Sequence, residues 1–315
     1  MRLFLEYLHE ERPDAQKILF TGLDDAGKTS IILALQREFS KIAVIKPSRG
    51  AQRRIFEFLG KEISEWDLGG QISYRISYLK NPDKYFDRTE IAIYVIDIQN
   101  KTRIQESLSY LNDVIRQFKI LGIEPPIFIF SHKFDPVLTK SAHDQINNLH
   151  LYLKDRISKI PNYNFFFYKT TIFDISTIIK AMSEILLAVY PKTNLIHKTA
   201  SEFARKFDAE GLEIIDSNSL IVGSYYMNDD IKTMLTTSTP YFLSLNNSFH
   251  TSTKTDEPEQ ENMVIQRYGK YFLFRQFFLR EGSPPYYLLL MKANQSFNID
   301  DFNAFVNLLK EILYK

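Results

Sequence analysis

Apolar and polar residues follow two different rhythms along this chain, and the rhythm changes near residue 190. Before that point, short apolar runs at 18–20, 91–96 and 127–130 carry no polar alternation, as strands covered on both faces require. Residues 53–59 and 63–67 read as two further strands joined at Gly60, which predicts a hairpin. Helical spacing appears at Ile31, Ile32, Leu35 and Phe39, and again over about 102–118, 140–158 and 174–189. Strands alternating with helices predict an α/β fold, a mostly parallel sheet with helices on both sides.

After Tyr190-Pro191 a helix over about 198–208 leads to two apolar runs, 212–215 and 220–226, split by Asp216-Ser217-Asn218. A helical stretch follows that Pro240 should interrupt, because proline lacks the N–H of the helical ladder. Residues 251–262 are polar and are expected to be flexible. Strand-like runs near 263–267, 271–280 and 285–292 precede a last helix over about 299–313. Helix, two strands, helix, three strands, helix describes a second, α+β domain. The division expected is residues 1–192 and 197–315.

Composition narrows the function classes. The 315 residues suffice for two domains with cores, and a net charge of +1 offers no global basic surface for nucleic acid. The absence of cysteine removes disulfides, zinc thiolates and cysteine nucleophiles together, and fits a reducing cytoplasm. The start, Met1-Arg2-Leu3, is soon followed by charge and does not read as a secretion signal, and Arg2 offers no glycine for a myristoyl group. No apolar run is long enough to span a membrane, so a soluble protein is expected. The six histidines are scattered without metal-ligand spacing.

The chemistry concentrates in three stretches. "GLDDAGKTS" places Gly22, Gly27, Lys28 and Thr29 at the spacing of a phosphate loop, between a buried strand and an amphipathic helix. Backbone N–H groups of Asp25, Ala26, Gly27, Lys28 and Thr29 would wrap a β-phosphate at the positive end of the helix dipole. Lys28 would span the β- and γ-phosphates, and the Thr29 hydroxyl would bind Mg²⁺. In "WDLGGQ", Asp67 would hold that ion through water, the Gly70 amide would meet a γ-phosphate and Gln71 would orient the attacking water. In "KPSRG", Ser48 would add a hydroxyl to the ion, with Ser40 as its rival and Lys46 and Arg49 as solvated flanking charges.

The base must be read elsewhere. In "SHKFDP", the Asp135 carboxylate would accept from guanine N1–H and its 2-amino group, while the stem of Lys133 covers the base plane. Adenine lacks that amino group and is excluded. His132 stands where such an element normally has asparagine, so an amide tether to the phosphate loop is expected to be lost.

These stretches resemble known small GTPases. "GLDDAGKTS" and "WDLGGQ" are similar to the Arf branch, where the residue at Ser48 is normally threonine and the loop usually carries one acid, not both Asp24 and Asp25. His132-Lys133-Phe134-Asp135, residues 170–174 and "EIAIYVIDI" resemble the Rag (Gtr) GTPases, and "EFARKFDAEGLEII" resembles the start of the Rag roadblock (longin-like) domain. The resemblance implies GTP and GDP contacts at Asp24 to Ser30, Gly70, His132, Lys133, Asp135 and the backbone of Thr171 and Ile172. It implies a nucleotide switch with Mg²⁺, slow hydrolysis, activating and exchange proteins, and a homo- or heterodimer formed through the roadblock domain. The apolar runs 271–280 and 285–292 are the expected partner surface. No arginine stands out to serve the transition state from within the chain. A membrane would be reached only through partners. The competing readings are a nucleotide-bound scaffold with little turnover and an Arf-like trafficking GTPase.

Overall fold

The computed structural model describes residues 15–136, 138–252 and 262–314. The packing divides into two compact units, the first running to Ile32 and from Lys41 to Phe173, the second taking Leu33–Ser40 and everything from Asp174 onward.

The first unit is a six-stranded sheet of order β2-β3-β1-β4-β5-β6. Its strands are β1 (Gln16–Thr21), β2 (Ala51–Phe58), β3 (Lys61–Leu68), β4 (Thr89–Asp97), β5 (Ile127–His132) and β6 (Phe165–Thr170). Only β2 runs antiparallel, as the far arm of the hairpin. The parallel strands lie in register: Leu19 sits between Trp66 and Ala92, and the last residues Asp97, His132 and Thr170 line up across β4, β5 and β6. That alignment brings the loops following each strand to one edge of the sheet, the edge at which parallel sheets bind ligands. Strand β6 was not anticipated; its aromatic run pairs with β5, and Phe166 stacks on Phe128 with ring centroids 4.9 Å apart.

Helix α1 (Lys28–Leu35) follows the phosphate loop. It was expected to reach Phe39 but stops short, because Arg37 adopts φ 60°, and Phe39 begins the separate short helix α2 (Phe39–Ile42) with its side chain exposed. Helices α3 (Ile72–Lys80) and α4 (Pro82–Tyr85), both unanticipated, fill the stretch before β4. A 3-10 turn (Lys101–Arg103) leads into α5 (Ile104–Ile120), and α6 (Lys140–Ser158) precedes β6. Buried faces of α5 and α6 contribute Leu111, Phe118 and Leu153 to one apolar core with Tyr94 and Ile129 of the sheet.

The second unit contains α7 (Ile175–Val189), α8 (Thr193–Lys206), β7 (Ala209–Ile215), β8 (Ile221–Tyr226), α9 (Asp229–Ser252), β9 (Asn262–Arg267), β10 (Lys270–Phe277), β11 (Tyr286–Lys292) and α10 (Ile299–Tyr314). Its five-stranded antiparallel sheet has the order β8-β7-β11-β10-β9. Helix α9 covers one face, where Phe242 stacks on Phe272 and Phe274. On α8 and α10, Phe203 and Phe305 stack at 4.1 Å, and Phe302 of α10 meets Phe277 of β10.

Two expectations are corrected here. Pro240 does not interrupt the helix: α9 is continuous from Asp229 to Ser252 with the proline inside it. Burial of Ile231, Leu235, Phe242 and Leu243 on one face outweighs a penalty of about 3 kcal/mol for an interior proline. The Thr239 hydroxyl adds a bond to the Leu235 carbonyl at 3.0 Å and another to Glu213, the buried acid of β7. Glu213 also accepts from the Tyr226 hydroxyl at 2.7 Å, and burial pushes its carboxyl up to about 7. The apolar runs 271–280 and 285–292 are not an open edge either. They form β10 and β11, which pair on both sides, and every residue of β11 is buried; the edges are β8 and β9. Of the polar stretch 251–262, residues 253–261 lie outside the described residues, as does the start at Arg2.

Candidate functional site

At the end of β1 the chain turns through residues 22–27 and enters α1 at Lys28, so the first free N–H groups of that helix face the loop they follow. Gly27 takes φ 95°, and a Cβ there would come within 2.4 Å of His132 Cδ2. His132 therefore lies against the loop. Its Nδ1 is 3.0 Å from Thr170 Oγ1, and burial lowers the imidazole to about 3, leaving it neutral. The lost amide tether is replaced by close packing on a glycine, anchored from the neighbouring strand.

Lys28 is buried and donates to the carbonyls of Gly22 at 3.1 Å and Leu23 at 2.7 Å. Burial brings its ammonium down to about 8, against the opposing pull of Asp67 and Asp24. Next to it, Thr29 Oγ1 lies 2.6 Å from Ser48 Oγ and donates to Asp67 Oδ2 at 2.5 Å. Ser48 thus reaches Thr29, whereas Ser40 is exposed on α2. The other oxygen of Asp67, Oδ1, is buried with no hydrogen-bond partner, and burial raises this carboxyl. Three oxygen-bearing side chains and one orphaned carboxylate oxygen converge at the head of α1. Such a hard, partly anionic oxygen set suits a small divalent cation, whose charge would offset the desolvation of Asp67.

Gly70 presses on the loop from above: a Cβ there would lie 2.0 Å from the Asp24 nitrogen, so no other residue fits this approach. Gln71 follows at the N-cap of α3, half-buried, its carbonyl accepting from Arg75 N–H at 2.9 Å. Asp24, Asp25, Gly27, Lys28, Thr29, Ser30, Ser48, Gly70, Gln71 and Lys133 share the wall of a cleft of about 350 Å³. Ala26 is buried in the loop between them.

Asp24 and its neighbour Asp25 would repel phosphates. Arg103 offsets the first of them, donating to Asp24 Oδ1 at 2.7 Å, to its carbonyl at 3.2 Å and to Glu106 Oε2 at 3.0 Å. Glu106 in turn accepts from Arg75 of α3, and these contacts, the Arg103 bond foremost, lower its carboxyl. The chain Asp24–Arg103–Glu106–Arg75 joins the phosphate loop to the helix after Gln71. Sequence reading missed it; a lone Arg-x-x-Glu at a helix start is too common to carry a signal.

Asp135 lies outside the lining of that cleft, two residues beyond Lys133, which belongs to it. Its Oδ1 accepts from Thr171 Oγ1 at 2.5 Å and its Oδ2 from Gln99 Nε2 at 2.7 Å. Lys133, at φ 63°, pairs through Nζ with Asp97 Oδ2 at 2.7 Å. Thr171 thus contributes its side chain to Asp135, and Ile172 follows it half-buried. Asp174, the last of residues 170–174, caps α7 by accepting from Ser176 N–H at 3.2 Å. Gln99 was missed because it belongs to no recognised spacing. Among the described residues, no group of His, Cys, Asp and Glu gathers as a metal cluster, and no helix is long and apolar enough to cross a membrane.

Residues 17–240 match the Gtr1/RagA G protein conserved region. An ADP-ribosylation factor-like protein 3 from Chlamydomonas reinhardtii is 37% identical over 135 residues, 43% of this chain and 72% of that protein. The protein of the same name from Caenorhabditis elegans is 32% identical over 142 residues, covering 44% and 73%. A solved structure of the Arl6 BBS3 small GTPase from Trypanosoma brucei, with bound nucleotide analogue GppNp, is 18% identical with a TM-score of 0.42, covering 55% of this chain and 96% of that one.

Proposed function

Because the chain belongs to the Gtr1/RagA G-protein family of small GTPases, we propose that it is a guanine-nucleotide switch that hydrolyses GTP slowly and depends on an activating partner. The observation that carries the reading is the convergence of Thr29, Ser48 and Asp67 beside Lys28 at the head of α1. Mg²⁺ would be held by the Thr29 and Ser48 hydroxyls and, through water, by Asp67; bound there, the ion would neutralise charge on the phosphates. The protein's own groups do the rest. The loop amides from Asp25 to Thr29 hold the β-phosphate, Lys28 spans the β- and γ-phosphates, the Gly70 amide meets the γ-phosphate, and Gln71 orients water. Asp135 reads guanine, with Lys133 over the base and His132 bracing the loop. Arg103 is engaged by Asp24 and Glu106, so an arginine for the transition state is expected from a partner.

One observation supports a scaffold with little turnover: Ser48 supplies the hydroxyl without the methyl of threonine, so GTP would order this loop less firmly. Gln71 weighs for the switch, because a scaffold has no need to position water. We assign residues 1–192 as the GTPase domain and 197–315 as a roadblock-like (longin-like) module that forms a homo- or heterodimer. Its α9 exposes Tyr241 and Leu245 at helical spacing, and its sheet ends in free edges at β8 and β9, features of the kind that pair chains. The protein is placed in the cytoplasm, reaching membranes only through partners.

The test is titration with GTP, GDP, ATP and xanthosine triphosphate in Mg²⁺, followed by phosphate release. GTP and GDP should bind and ATP should not, and Asp135→Asn should move preference toward the xanthine nucleotide. Equal affinity for ATP and GTP would sink the base assignment.

A further inference from the structure

Gln99 lies in the connection between β4 and α5 and belongs to none of the motifs above, yet it makes two of the bonds that shape the base corner. Its Nε2 donates to Asp135 Oδ2 and to the Lys133 carbonyl, each at 2.7 Å, so both amide hydrogens are committed. Its own N–H donates to Asp97 Oδ1 at 2.9 Å, and the other oxygen of Asp97 holds Lys133 Nζ at 2.7 Å. Asp97 at the end of β4 and Gln99 just after it therefore both hold the residues that follow β5.

The consequence falls on the Asp135 carboxylate. The terminal torsion of an aspartate is broad, so an unrestrained carboxylate samples many planes. A base with adjacent ring N–H and exocyclic amino donors is read bidentately only by one of those planes. Thr171 fixes one oxygen and Gln99 the other, from segments on opposite sides of the carboxylate. A carboxylate offers about four lone-pair sites, so two remain for a ligand, the number a guanine edge supplies.

We propose that Gln99 is a specificity-determining positioning residue: it sets the plane of the Asp135 carboxylate and the place of the Lys133 backbone, so that a purine bearing the 2-amino group is preferred to one without it. The inference rests on Asp135 being the base reader.

The experiment compares GTP with inosine triphosphate, which lacks only that amino group, on the full chain in Mg²⁺. Gln99→Ala should weaken GTP about tenfold, the order of one hydrogen bond to a charged group, and weaken the inosine nucleotide less, so their ratio narrows. Gln99→Glu keeps the shape but replaces donor with carboxylate, and should lose at least as much GTP affinity as the alanine variant. An unaltered ratio in both variants overturns the inference, and so does a rise in GTP affinity, which would mean that the glutamine competes with the base. Equal loss of both nucleotides at an unchanged ratio shows a merely structural role and overturns it too. Asp135→Asn separates the two levels. If it fails to favour the xanthine nucleotide, the base assignment falls and takes Gln99 with it; if it does favour it while the Gln99 variants discriminate as before, only Gln99 falls.

Discussion

Lys28 shows how much of one residue's chemistry depends on burial. Its type and spacing mark it as a phosphate ligand, but burial lowers its ammonium from 10.5 to about 8. A bound triphosphate would favour the charged form, so binding above pH 8 must take up a proton. The sign follows: affinity for GTP is highest below about pH 8 and falls as pH rises above it, by up to about tenfold per pH unit. Calorimetry at pH 9 in two buffers of different ionisation heat should show that uptake; an affinity flat from pH 7 to 9.5 would contradict it. His132 makes the complementary point. The sequence shows that asparagine is missing; only the structure shows the imidazole seated on Gly27 and tied to Thr170.

Elements carry the next level. The other parallel strands and α1 were legible from unbroken apolar runs and a glycine turn, whereas β6, a half-exposed aromatic run at the sheet edge, and the short α3 and α4 were not, because such segments resolve no clear period. Pro240 misled because local propensity costs a fixed amount, while one buried face of α9 contributes several times as much. The 3-10 turn before α5 delivers Arg103 to the phosphate loop, and from this comes a prediction about charge. Arg103→Ala should weaken GTP binding several-fold at about 0.05 M salt and much less at about 0.5 M, because the Asp24–Arg103 pair is about a third exposed and therefore screened. Binding measured by fluorescence at both ionic strengths decides it. A loss independent of salt would mean that Arg103 acts by packing and not by offsetting Asp24.

For the whole molecule, the change of rhythm near residue 190 reflects two sheets of different grammar, one mostly parallel and one antiparallel. The proposed dimerisation belongs to this scale. Light scattering of the full chain should give about twice its 37.0 kDa mass, or that of a heterodimer once a relative is supplied. Tyr241→Arg with Leu245→Arg should return it to a monomer while nucleotide binding persists, since both side chains are exposed on α9. A wild-type chain that stays monomeric at high concentration with every relative offered would remove the dimer. The runs first taken as the partner surface were the most apolar in that half of the chain. Both β10 and β11 pair on each side, and a sequence cannot distinguish a strand that awaits a partner from one that already has two.

The sequence by itself determined the phosphate loop, its strand and helix, and the order of elements in the second half. These depend on spacings of a few residues, which the chain carries locally. Only the tertiary structure decided what closes on them: Ser48 on Thr29 across 19 positions, Gln99 on Asp135 across 36, and Arg103 on Asp24 across 79. The physical reason is the register of the parallel strands, which brings the ends of β4, β5 and β6 to one edge and so makes neighbours of residues that no local pattern connects.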